Sequence, residues 1–200
     1  MPVFHRSFII WCLLSLSAPH AQSPLPPGAW RIADAPAALK DPISRADLIV
    51  ASLQDALPRE LTHALEQGGP EFAIQSCHID VVGAIRRVER RPGTAAGRTS
   101  DRLRNPANAP RPWAAPLVRG NAGRPAREID GFAVDLGNAV GVLRPIVEQP
   151  MCASCHGPAE KIAPAVAAAL KQHYPDDRAI GFINREIRGW FWVEVPKPPR

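Results

Sequence analysis

Phe132-Ala133-Val134-Asp135-Leu136-Gly137-Asn138-Ala139-Val140-Gly141-Val142-Leu143-Arg144-Pro145-Ile146 decides the fold class of this chain. Phe132, Val134 and Leu136 alternate with Ala133 and Asp135, the two-residue period of a strand. Residues 140–146 read as a second strand, and Gly137-Asn138 supplies the turn between them. Strands joined by so short a turn run antiparallel. Further along, 189–195 is aromatic and β-branched and reads as a closing strand, terminated by Pro196. Upstream the period changes to that of helices. Residues 41–67 carry Leu48, Ser52, Leu53, Leu57, Leu61 and Leu65 at helical spacing, with a kink or break expected at Pro58 and an end at Gly68-Gly69-Pro70. A second helix over 70–89 carries Ile74, Cys77, Val81, Ala84, Ile85 and Val88 on one stripe. Residues 90–112 hold turn formers without a sustained period and are expected to form a long loop. A last helix over 159–173 presents Ile162, Val166, Ala169 and Leu170. The expected architecture is a single α+β domain with N-terminal helices beside an antiparallel sheet.

Between the strands lies Cys152-Ala153-Ser154-Cys155-His156, a C-x-x-C-H sequence, the pattern of covalent c-type haem attachment. Two thiols add across the porphyrin vinyl groups, and the imidazole of the next residue is held under the iron. A redox dithiol, half of a zinc site or coincidence would give the same residues, and the rest of the sequence favours haem. One haem c per chain is expected, held by Cys152 and Cys155 with His156 as iron ligand.

The N-terminus agrees with this chemistry. His5 and Arg6 precede the apolar run Phe8-Ile9-Ile10-Trp11-Cys12-Leu13-Leu14, and small and polar residues follow around Ala21. That is the layout of a signal peptide over 1–21, too short for a comfortable membrane span. Haem attachment of this kind takes place outside the bacterial cytoplasm, so the protein is expected in the periplasm, with membrane association only if the segment stays uncleaved. Residues 22–42 are rich in Pro and Ala and read as a leader, leaving 43–196 for the haem domain. Of four cysteines, Cys12 goes with the signal and two carry haem. Cys77 is left over. The net charge of +5 comes with arginines clustered at Arg86-Arg87, Arg90-Arg91 and 98–111. In an exported protein these suit solvated surface and haem propionates, and no nucleic-acid partner is expected.

Several segments together resemble a known family. Arg98-Thr99-Ser100 and Arg104-Asn105-Pro106-Ala107-Asn108-Ala109-Pro110 are similar to the R-T-S…R-N-P-x-N-x-P loop of a bacterial c-haem domain of unknown function with a PAS-like fold, found in cytochromes and in sensor proteins. Pro145-Ile146, the haem motif with Gly157, Tyr174-Pro175-Asp176-Asp177-Arg178-Ala179, Gly181-Phe182 and Ile187-Arg188-Gly189-Trp190 follow in the family's order. His78-Ile79-Asp80 departs from the Ala-Pro that usually follows the helix cysteine.

The resemblance implies that Cys77 binds iron opposite His156. An odd thiol on the apolar stripe of a helix is consistent with that role, but a buried inert thiol would look the same. His78 is the rival ligand, about 100° further round the helix. Met151 is too close to the motif to reach the far side, and His63 and His173 read as ordinary surface or core residues. Arg98 and Arg104 either pair the propionates through two parallel hydrogen bonds or organise their own loop by bonding backbone carbonyls. Trp113, Trp190, Phe191 and Trp192 either wall the porphyrin or fill the core. Two protein ligands leave no coordination position for a substrate, so no enzyme activity is expected. The sequence points to single-electron transfer or redox sensing with an unidentified redox or signalling partner protein. The alternative is a sensor of a diatomic gas acting through a partner.

Overall fold

Alternation along the central strands gives the sheet two different buried faces. The structure is a computed structural model. It describes residues 24–89 and 93–198, and inside the first long helix the side chains at 76–84 and 86–89 lie outside the description. The signal segment expected at 1–21 also lies outside it. The element order is β1 (Ala29–Arg31), α1 (Lys40–Glu89), β2 (Ala95–Thr99), α2 (Ala115–Gly120), β3 (Phe132–Asp135), β4 (Ala139–Val147), α3 (Ala153–His156), α4 (Pro164–His173) and β5 (Ile187–Pro196).

The five strands form one antiparallel sheet in the order β1-β3-β4-β5-β2. The β3–β4 hairpin turns at 136–138, where the turn was expected, and its register sets Val134 opposite Gly141 and Phe132 opposite Leu143. Val140, Val142, Phe191, Val193 and Val195 point to one face, where they meet Ile43, Ala46, Ile49, Val50 and Leu53 of α1. Phe132, Val134, Leu143 and Trp190 point to the other, where Leu117 and Val118 of α2 cover them. Successive residues therefore serve opposite layers, as a two-residue side-chain period requires.

α1 is two arms rather than one rod. Its backbone is helical over 40–67 and again over 70–89, and only Gly68 and Gly69 leave helical geometry. Gly69 has φ +70°, a left-handed conformation that costs glycine nothing. Pro70 then restarts the helix at a position where its missing N–H is no loss. The expected break at Pro58 does not occur: the helix runs through it, one hydrogen bond short, beyond turns that Ile49, Val50 and Leu53 hold on the sheet. The stripe expected on this arm is also displaced. Leu48 is 68% exposed, and the face that packs is Ile43, Ala46, Val50 and Leu53. The second arm docks on α4, where Ile74 packs with Ile162, Val166, Ala169 and Leu170, the four residues expected to share a face.

Two further expectations are corrected. The loop over 90–112 contains β2, whose Ala95-Ala96-Gly97-Arg98-Thr99 has no strand pattern of its own. It is a strand because β5 lies beside it, and Gly97 has no side chain where Trp192 crosses: a Cβ there would sit 2.6 Å from the indole. The Pro/Ala-rich stretch over 22–42 contributes edge strand β1, with Leu39 and Pro42 buried against the rest. Among the described residues, no helix is long and apolar enough to cross a membrane.

Candidate functional site

The first arm of α1 leans on the sheet and the second on α4, so a space opens between them. This cavity of about 450 Å³ is walled by Leu57, Leu61 and Ala64 of the first arm and Ala73, Ile74 and Ile85 of the second. Its floor is Ile146 and Phe191 of the sheet. Cys152, Cys155 and His156 stand at its rim. On the stripe expected for 70–89, Ile74 and Ile85 therefore face the cavity. Cys77 and His78 belong to the same helical arm, and their side chains lie outside the described residues.

The motif is presented by a local fold. β4 ends at Val147, a 3-10 turn covers Pro150–Cys152, and α3 adds one turn that puts Cys152 and Cys155 on the same side. Gly157 closes that turn, its N–H donating to the Ala153 carbonyl at 3.0 Å; a Cβ there would meet the same oxygen at 2.6 Å. Both thiols are free and half-buried.

His156 is oriented by its backbone surroundings. Nδ1 lies 2.7 Å from the Ala179 carbonyl, which can only accept, so the proton sits on Nδ1. Nε2 is left as the acceptor, 3.4 Å from Nη1 of Arg188 and 3.5 Å from Nη1 of Arg104, and all three residues line the cavity. Burial pushes the imidazole well below its ordinary pKa. The charges of Arg188, Arg104 and Arg98 push the same way, against the Ala179 hydrogen bond. A neutral imidazole anchored through one nitrogen can offer the other to a metal. Phe182, itself buried beneath the Arg102 guanidinium, holds the ring edge-on at 6.3 Å between centroids.

The arginines divide their work. Arg104 Nε donates to Asp177 at 2.9 Å, and its Nη2 reaches the carbonyls of Cys155 and Ala179. It ties the end of the motif to the 174–179 turn, in which the Ala179 N–H donates to Asp177 at 2.8 Å. Backbone bonding, one of the two roles open to Arg104, is present in this geometry through Nη2, while its Nη1 lies 3.5 Å from His156 Nε2. Arg98 lines the cavity from β2, opposite Phe191 in the ladder. Asn105 accepts from the Ala107 N–H and caps a turn. Among the aromatic candidates only Phe191 reaches the cavity. Trp113, Trp190 and Trp192 pack on the opposite face of the sheet. His63 and His173 are exposed and bonded to glutamines.

Sequence reasoning missed a layer of charge behind this site. Glu148 is 1% exposed and pairs with Arg188 Nε at 3.1 Å, and Glu186 pairs with Arg102. Asp177 and Arg188 stand in segments that carry the family resemblance, so a signal for them existed. Glu148 stands in none.

The residues present suit a large planar group bearing a metal and acidic substituents: an apolar slot, two thiols, a neutral imidazole nitrogen and guanidinium groups on one side. Fold and site together define an α+β ligand-binding domain with a cysteine-histidine rim. Residues 37–196 match the Tll0287-like family, described as Tll0287, and the chain belongs to that family. Among solved structures it is similar to the cyanobacterial heme-protein Tll0287, with 21% identity and a TM-score of 0.58 over 80% of this chain and 98% of that one. A likeness at that identity speaks for the fold. No curated protein matches the chain.

Proposed function

We propose that this chain is an exported c-type haem protein that passes single electrons or reports redox state, with no enzymatic step of its own. One haem would be fixed by thioether bonds to Cys152 and Cys155, with His156 as the proximal ligand and Cys77 as the distal one. The observation that carries the reading is His156: neutral by burial, fixed through Nδ1 on the Ala179 carbonyl, and lining, with Nε2 left as acceptor, an apolar cavity flanked by both thiols. The group would supply a one-electron couple. The protein's part is to hold the imidazole, exclude water with Leu57, Leu61, Ile74 and Phe191, and offset propionate charge with Arg98 and the cavity-facing Nη1 of Arg104. The five-stranded antiparallel sheet with helices against it is consistent with a PAS-like domain, and the periplasm is the compartment in which such attachment happens. Electron exchange requires a partner protein.

The test is expression in cells with c-type maturation followed by acid-acetone extraction. Haem should stay with the protein, and His156→Ala should retain the thioethers but change the Soret band and lower the melting temperature. Loss of all colour on extraction would end the covalent reading, and an unchanged spectrum in His156→Ala would remove His156 as ligand. For the distal side, Cys77→Ala should change the ferric spectrum and raise the potential while His78→Ala does neither; the reverse result would assign His78.

A further inference from the structure

Beside His156 the Arg188 guanidinium links the imidazole to a buried carboxyl. Arg188 lies on β5 with Nη1 3.4 Å from His156 Nε2, the nitrogen left as acceptor, while its Nε lies 3.1 Å from Glu148 Oε2. Glu148 follows the last residue of β4 and is 1% exposed. Its backbone is committed to the neighbouring turn: the N–H donates to the Glu186 carbonyl at 2.9 Å and the carbonyl accepts from the Arg185 N–H at 3.0 Å. Arg188 meets the Glu148 carboxyl off-axis, so among the described residues neither carboxyl oxygen has a well-directed hydrogen bond. Such a group is poorly solvated as an anion and has a lone pair ready for a proton.

We propose that Glu148 is the proton acceptor of a proton-coupled reduction at this site, binding one proton when a one-electron donor reduces the bound haem. The inference rests on the haem reading above. The balance is simple: the iron gains one electron from the donor, one O–H bond forms on Glu148 with a proton drawn from water, and both steps reverse on oxidation. The physical reason is charge. Reduction removes one positive charge from beside Arg188, and a buried carboxylate nearby loses part of what stabilised it. Burial already pushes the Glu148 carboxyl above its ordinary pKa; Arg188 pulls it down, Glu186 raises it, and Arg102 and Arg104 lower it. Those are the charged groups that face it from β5, the 185–186 turn and the loop after β2. Loss of a positive charge therefore moves an already raised value further up, so that proton uptake and reduction favour one another. Glu186 is the less suited acid, because both its oxygens are engaged, by Arg102 and by the Ile183 N–H at 3.0 Å.

The test is a redox titration of the haem-loaded protein across pH, on wild type, Glu148→Gln and Glu186→Gln. In wild type the ratio of reduced to oxidised protein at fixed potential should fall as pH rises. The limit is tenfold per pH unit, or about 59 mV for one electron. Glu148→Gln should flatten that dependence and hold the potential at the wild-type acid limit, since the amide resembles the protonated carboxyl. Glu186→Gln should retain the wild-type slope. A redox-triggered infrared difference spectrum of wild type supplies a readout independent of the variants. A carboxylic-acid C=O band should appear on reduction, and it should be absent in Glu148→Gln. A pH-independent wild-type potential, an unchanged slope in Glu148→Gln, or a slope lost only in Glu186→Gln would overturn the proposal. Failure to retain haem on extraction would instead overturn the haem reading, and the two failures are separately visible.

Discussion

Arg104 is where one substitution distinguishes support of the motif from contact with the bound group. Its Nε–Asp177 pair is 2.9 Å long with side chains 16% and 10% exposed, and its Nη2 bonds the Cys155 and Ala179 carbonyls. Removing one member of a buried charge pair costs about 3–5 kcal/mol when the other is stranded. Asp177 is not wholly stranded in Arg104→Ala, because the Ala179 N–H still donates to it at 2.8 Å, so the expected loss is at the lower end, about 3 kcal/mol. For a domain of this size that corresponds to a fall in melting temperature of roughly 6–12 °C. Arg104→Lys keeps a point charge but not the planar fork that spans carboxylate and carbonyls, and should recover only part of the loss. The decisive comparison is between haem-loaded protein and a Cys152→Ser/Cys155→Ser form that cannot attach haem, each followed by urea unfolding with and without Arg104→Ala. If Arg104 buttresses the backbone, both forms lose stability by similar amounts. Destabilisation of the haem-loaded form alone would mean that its energy comes from the bound group, and a change under about 0.5 kcal/mol in both would refute the reasoning.

Three further outcomes are expected. Ala64→Phe puts a ring into the cavity from a residue 4% exposed; bound haem per protein should drop sharply while far-ultraviolet circular dichroism stays as in wild type, and normal loading would show that the cavity is not the haem site. Gly97→Ala places a Cβ 2.6 Å from Trp192, so stability should fall by about 1–3 kcal/mol with a shift in tryptophan emission; a neutral effect would mean β2 is not packed as described. Burial pushes the Glu194 carboxyl up, but hydrogen bonds from Arg111 and Trp113 and the Arg111 charge outweigh it and leave the group below its ordinary 4.5. A carboxyl lowered in the folded state adds stability above its unfolded value and loses it as pH falls through the folded one. Glu194→Gln should therefore cost about 1 kcal/mol at pH 7 and converge with wild type in acid, as read by melting temperature against pH; a constant offset would refute the ionic origin.

What the sequence by itself determined is what depends on near neighbours. The C-x-x-C-H turn, the β3–β4 hairpin around Gly137, the helix end at Gly68-Gly69 and the shared face of Ile162, Val166, Ala169 and Leu170 all follow from spacing within a few turns of chain. β2 was invisible because Ala95-Ala96-Gly97-Arg98-Thr99 has no period; β5 makes it a strand from about a hundred residues away. Leu48 was misjudged for a related reason. A helix rich in apolar residues on several sides offers more than one stripe, and only docking chooses which is buried. The cavity exists because two arms joined at a glycine pair lean on different partners, the sheet and α4. Arg104 and Glu148 depend on this most of all. A charged side chain finds its partner through space, so tertiary structure alone decided that Arg104 would brace the motif and that Glu148 would be buried against Arg188.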